Sequence, residues 1–97
     1  MIIVRNVFQA KYGKGDELVS LFKEMGQRAG SQQFRQRILT DQSGLFFTVV
    51  SEMEMESLAA WERFTREGFA DPQFAAWFER MVPLVESGHR EFYRVEE

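Results

Sequence analysis

Cysteine is absent from this 97-residue chain. That excludes a disulfide framework, a thiolate metal site and a cysteine nucleophile. Histidine is nearly absent too: His89 is the single one, so any metal would have to be held by carboxylates. The row Glu52, Glu54, Glu56 has the spacing to line one side of a strand end, where it is either a solvated edge or a place for a hard cation. There is no G-x-S-x-G, and His89 has no evident nucleophile to serve. Gly13 and Gly15 form a G-x-G, but no third glycine follows, and Asp16 stands where an anion would sit. No apolar run approaches the roughly 18 residues of a membrane span. No basic stretch leads into a long apolar one at the start, so a signal peptide is not expected. The chain is therefore expected to be soluble and cytoplasmic. Positive charge is not in excess either: 12 Lys and Arg face 15 Asp and Glu, for a net charge of -3. Phosphate backbones call for clustered cations, so nucleic acid is not the expected partner.

Apolar and aromatic residues are well supplied. The chain is 44% hydrophobic, with 10 Phe, 2 Trp and 5 Met. This is enough for one folded domain over residues 1–97, without linkers or repeats.

The hydrophobic pattern changes period along the chain. Residues 2–9 read as a strand. Asp16 is suited to an N-cap or a first helical turn. Leu18, Leu21, Phe22, Met25 and Ala29 then mark a helix that fades between Gly26 and Gly30. Phe34 to Asp41 alternates as a second strand, and Gln42-Ser43-Gly44 is a turn into a third, Leu45 to about Met53. Leu58, Trp61 and Phe64 define a second helix that fades near Gly68. Asp71-Pro72 starts a third, which Pro83 should kink or shorten and Gly88 should close. His89 to Val95 alternates as the last strand. The order is β-α-β-β-α(α)-β, an α+β, ferredoxin-like arrangement: a four-stranded antiparallel sheet with its helices on one face.

The run Leu45-Phe46-Phe47-Thr48-Val49-Val50 has no polar side. As a strand it would need cover on both faces, and a chain this short has helices for one. A second copy packed on the other face, a homodimer through the sheet, is the expected solution. Ile2, Val4 and Phe8 against Ile3 and Val7 repeat the pattern in the first strand.

Asn6 lies in phase with Ile2, Val4 and Phe8. A buried amide needs partners, so it is either held by neighbouring backbone or aimed at a ligand. Trp61 and Trp77, on apolar helical stripes, are either core residues or walls of a pocket between helices and sheet. Arg5, in the opposite phase, is a candidate for an ion pair at the dimer interface.

With these residues in place the chain resembles the dimeric α+β-barrel superfamily, in its antibiotic-biosynthesis-monooxygenase-like and NIPSNAP-like group. The resemblance runs through Ile3-Val4-Arg5-Asn6, Gly13-Lys14-Gly15-Asp16-Glu17-Leu18, Ser57-Leu58-Ala59-Ala60-Trp61 and Asp71-Pro72-Gln73-Phe74 to Trp77. It implies two subunits paired sheet to sheet, each with a pocket between sheet and helices. Members include cofactor-free oxygenases of phenols and quinols, isomerases and haem-degrading enzymes. The haem-degrading branch uses an Asn on the first strand, a Trp on the second helix and a His on the next. Asn6 and Trp61 match the first two, but Phe74 to Phe78 contains no His. Haem is therefore not expected, and no other cofactor is.

The resulting expectation is a cofactor-independent monooxygenase-like protein for a small aromatic ligand. Asn6 and Trp61 would orient the ligand, Trp77, Phe78 and Phe92 would form walls, and Tyr93 or His89 would handle a proton. The alternative is a non-catalytic binding or structural homodimer, with both tryptophans as packing residues. RNA recognition, which shares this topology, fits poorly: against K/R-G-F/Y-G/A-F-V-x-F/Y, the stretch Ser43 to Val50 agrees at Gly44 and Phe47 alone.

Overall fold

The computed structural model describes residues 1–28 and 35–96. Strand β1 (Ile2–Ala10), helix α1 (Gly15–Arg28), strands β2 (Gln36–Thr40) and β3 (Thr48–Met55), helices α2 (Leu58–Phe69) and α3 (Pro72–Met81), a 3₁₀ turn (Val82–Leu84) and strand β4 (Val85–Arg94) follow in that order. The sheet runs β2-β3-β1-β4, with every neighbour antiparallel. This is the α+β, ferredoxin-like fold that the pattern of periods implied.

Local chemistry accounts for the helix starts. Ser57 Oγ accepts the Ala60 N–H at 3.1 Å and opens α2. Asp71 Oδ1 accepts the Gln73 N–H at 2.9 Å, with Pro72 at the first helical position of α3. Such caps are worth about 1 kcal/mol each. Asp16 sits in the first turn of α1, where a carboxylate complements the helix dipole. Pro83 ends regular helix as expected, and the chain tightens into the 3₁₀ turn.

Four expectations about boundaries are corrected. The third strand begins at Thr48, not Leu45. Gly44 and Phe47 adopt φ of 95° and 60°, so the chain is still turning there. The loop caps β1 instead of extending β3: the Phe47 carbonyl accepts the Ala10 N–H at 2.9 Å, and the Phe46 carbonyl accepts from Gln9 at 2.8 Å. Tyr12 meets both phenyl rings edge-on. Gly88 does not close a helix. It lies inside β4, opposite Phe8, where an added Cβ would come within 3.0 Å of the Phe8 ring. The last strand accordingly starts at Val85 rather than His89. In the second strand, Gln36–Thr40 is shorter than the expected span, of which Phe34 lies outside the described residues, as do Ala29 and Gly30 of the first helix.

The core is divided. The larger cluster joins Leu18, Leu21 and Phe22 of α1 to Trp77 and Met81 of α3, Leu84, Ala10 and Val49. The smaller joins Val4, Met53 and Met55 on the sheet, with Trp61 and Phe64 of α2 packed on it. Helix α2 buries no residue completely. Its apolar stripe touches the sheet at one end only, and a gap opens between the two clusters.

Candidate functional site

That gap is a cavity of about 740 Å³, floored by the sheet and roofed by α2 and α3. Its size falls in the range of small-molecule sites. The sheet floor carries a polar row. Asn6 on β1 stands opposite Ser51 on β3 and Arg90 on β4. Gln36 Nε2 donates to Ser51 Oγ at 3.3 Å. Arg90 Nε donates to Asn6 Oδ1 at 2.7 Å, and its guanidinium lies over the Trp61 ring, 5.0 Å from the centroid. Stacked and tilted rings line the side toward α1 and α3: Phe8 on Phe22, Phe22 on Trp77, and Trp77 on Phe74.

Of the residues expected at a site, Asn6, Trp61, Trp77 and Phe78 all border this cavity. Among the described residues the partner of the Asn6 side chain is not backbone: its carbonyl oxygen accepts from the charged Arg90. Trp77 combines both of its open readings. Its indole N–H donates to the Leu21 carbonyl at 2.8 Å and its ring is buried, yet one face borders the space. Phe92 packs edge-on against Trp61, with ring centroids 5.0 Å apart, and supports that wall from β4.

His89 and Tyr93 are corrected in position. They stand opposite Val7 and Ile3, the alternate phase of β1, and so face away from the helices. Both bond to Glu91 there, His89 Nε2 at 3.0 Å and the Tyr93 hydroxyl, as donor, at 2.9 Å. The His89 contact, then the Tyr93 bond, holds the Glu91 carboxyl below its ordinary range, and the same bond raises the Tyr93 phenol. Neither side chain reaches a ligand in the cavity.

Arg90, Gln36 and Ser51 are cavity residues that the sequence reading did not single out. The available signal was the in-phase pair Arg90 and Phe92, a cation on the side of a strand that also carries an aromatic. What made Arg90 part of the site is its cross-strand neighbour, and register is not visible in one strand alone.

The outer face of the sheet carries a different polar set. Arg5 donates to Glu52 at 3.1 and 2.7 Å through Nε and Nη2, and Arg37 donates to the other oxygen of the same carboxylate. The Glu52 side chain is 5% exposed. The Arg37 bond, then the Arg5 bond, holds its carboxyl below the ordinary range, and Glu52 in turn raises Arg5. Glu54 shares that face opposite Ile3, and Glu56 is exposed. Among the described residues no group of three or more His, Cys, Asp or Glu side chains is placed to hold a metal ion. No helix of the described residues is long and apolar enough to cross a membrane.

No family model matches the chain, and no curated protein does. The fold itself is well represented: an antiparallel α+β sheet with helices on one face, as in NIPSNAP-domain and antibiotic-biosynthesis-monooxygenase-like proteins. In particular, the chain is similar to an uncharacterized NIPSNAP domain protein from Burkholderia xenovorans, with 24% identity over 99% of this chain and 95% of that one and a TM-score of 0.87. A NIPSNAP family protein from Agrobacterium tumefaciens superposes with a TM-score of 0.85 at 17% identity, covering 99% and 93% of the two chains. SnoaB, a cofactor-independent oxygenase from Streptomyces nogalater, superposes with a TM-score of 0.73 at 16% identity, also over 99% and 93%. The resemblance read from the sequence is met at the level of the fold, and at these identities the fold is what is shared.

Proposed function

We propose that the chain binds a small aromatic molecule of the phenol or quinol type between sheet and helices, and acts on it as a cofactor-independent monooxygenase. One observation carries this reading: Asn6 and Trp61 border an open, aromatic-walled cavity of about 740 Å³ instead of a filled core. Aromatic walls accept a flat ring by apolar contact and exclude water, while the polar row on the floor offers hydrogen bonds to oxygen substituents. The shared fold with a cofactor-independent oxygenase is in keeping with it. Oxygen consumption with a panel of quinols and hydroxylated polycyclic aromatics tests the reaction. The expected outcome is uptake with at least one compound, lowered about tenfold or more by Trp61→Ala. A panel with no uptake, together with an Asn6→Ala variant that binds every compound as the unsubstituted chain does, sinks the proposal.

A specific observation favours a second reading, a binding protein without catalysis. The side chains expected to handle a proton, His89 and Tyr93, lie on the other sheet face. Among the described residues the carboxylates that border the cavity are Glu67 and Asp71, and Asp71 is engaged as a helix cap. Tight ligand binding with no oxygen uptake selects this reading.

The outer face supports a homodimer paired sheet to sheet. Ile3, Val7 and Val50 are half-buried there, and Leu39 and Tyr93 remain 36% and 47% exposed. A second copy would cover these side chains with the same surface, as twofold pairing requires. Light scattering should give a dimer at micromolar concentration; a stable monomer there removes the pairing.

A further inference from the structure

We infer that Arg90 is the anion-recognition residue of the cavity, that Asn6 positions it, and that the ligand is an aromatic monoanion of the aryl carboxylate class. This rests on the proposal that the cavity takes a small aromatic molecule.

Of the described side chains that border the cavity, Arg90 is the one cation. Its partners differ from those of four other arginines, although its side chain is exposed. Arg5 and Arg37 share Glu52, Arg80 pairs with Glu24 at 3.0 Å, and Arg94 lies 4.0 Å from Glu96. Arg90 is bonded instead to a neutral amide and laid over an indole. Neither partner cancels its charge.

The bond to Asn6 uses Nε–H. The two terminal amino groups have no partner among the described residues. A guanidinium presents its donors as a rigid planar fork, and the terminal nitrogens match the two oxygens of a carboxylate. The Trp61 ring, 5.0 Å away, and the Asn6 oxygen, at 2.7 Å from Nε, hold the guanidinium from two sides. Both contacts are set before a ligand arrives, so little rotamer freedom is lost on binding.

The identity of residue 6 matters chemically. Aspartate would hold Arg90 equally well but would neutralise it and repel an incoming anion. An amide orients the guanidinium and leaves its charge available. Glu67 and Asp71 border the cavity from the helix side, Asp71 as the cap of α3, and among the described residues the hydrogen-bond partner of Arg90 is Asn6. The charge of Glu67 and Asp71 would steer an anionic group away from the roof toward the Arg90 side of the floor. The apolar body of the ligand would then lie along Phe8, Phe22 and Trp77.

Calorimetric titration of the intact chain with 2-naphthoate and with the neutral isostere 2-naphthamide tests this. The expected result is a naphthoate preference of about tenfold or more, the size of one charge-assisted contact. Asn6→Asp and Arg90→Gln should each bring the ratio of the two affinities to about one. Arg90→Lys, which keeps the charge and loses the fork, should retain a preference of about threefold. Equal binding of the two probes by the unsubstituted chain overturns the anion site and leaves the aromatic pocket standing. A preference that survives Arg90→Gln overturns the role of Arg90, and one that survives Asn6→Asp overturns that of Asn6. Binding of neither probe overturns the pocket and the anion site together.

Discussion

The two faces of the sheet are built from alternate residues of the same strands, yet they treat charge in opposite ways. On the outer face Arg5 stands opposite Glu52 on one side and Glu91 on the other, and Arg37 closes on Glu52 from β2. Each of these charges meets its opposite in the next strand. On the helix face Arg90 stands opposite Asn6, and the row continues to Ser51 and Gln36, all neutral. A charge neutralised by its neighbours holds strands together. A charge that is oriented but not neutralised can be answered by a ligand.

The largest expected effect that would break this contrast concerns Glu52. Replacing it with alanine leaves Arg5 and Arg37 facing each other without their shared anion. Their side chains are 38% and 71% exposed, so water relieves part of the penalty. The expected loss is about 2 kcal/mol in urea denaturation, below the 3–5 kcal/mol of a fully buried pair. Arg90→Gln, which removes a charge with no counter-charge, should change stability by about 0.5 kcal/mol or less. Equal losses in the two variants would remove the distinction between the faces.

A smaller effect sharpens the same point through pH. The folded state holds the Glu52 carboxyl below its ordinary value, through Arg37 and then Arg5. The unfolded chain therefore takes up this proton first as pH falls. The stabilisation is complete above the ordinary carboxylate range and is lost as pH drops through the lowered value. Acid titration of stability should show that loss, and Glu52→Gln should flatten it. An unchanged slope in Glu52→Gln would place the acid sensitivity elsewhere.

The smallest effects are expected from His89→Ala and Tyr93→Phe. Both residues lie on the outer face, bonded to Glu91. Each substitution should leave 2-naphthoate affinity within about twofold, because neither side chain reaches the cavity, and surface changes of this kind are mild. A tenfold loss in either would bring that residue back to the ligand.

Much of this could be read from the residues. The period of two placed Asn6 with Ile2, Val4 and Phe8 and sent Arg5 the other way, as found. Asp71-Pro72 marked the start of α3 through a cap that depends on three adjacent residues. The apolar run at Leu45 was harder. Its composition suits a strand, but Leu45 and Phe46 are 72% and 69% exposed in a loop that caps the end of β1. The carbonyls of Phe46 and Phe47 serve Gln9 and Ala10, about 37 positions away in the chain. Gly88 failed as a helix signal for a similar reason. Pro83 had already ended regular helix, and the glycine was needed where β4 passes over Phe8.

Alternation within a strand follows from the geometry of consecutive residues, so the sequence by itself determined which side chains share a face and which helices have an apolar stripe. Which strands meet, and at what register, rests on hydrogen bonds between distant segments; Arg90 reaches Asn6 across 84 positions. Only the tertiary structure could set Arg90 beside Asn6 under Trp61, place Glu52 between two arginines, and turn His89 and Tyr93 away from the cavity. A shift of one residue in the pairing would exchange the two faces of β4, and what resists it is a contact with another strand, Gly88 against the Phe8 ring.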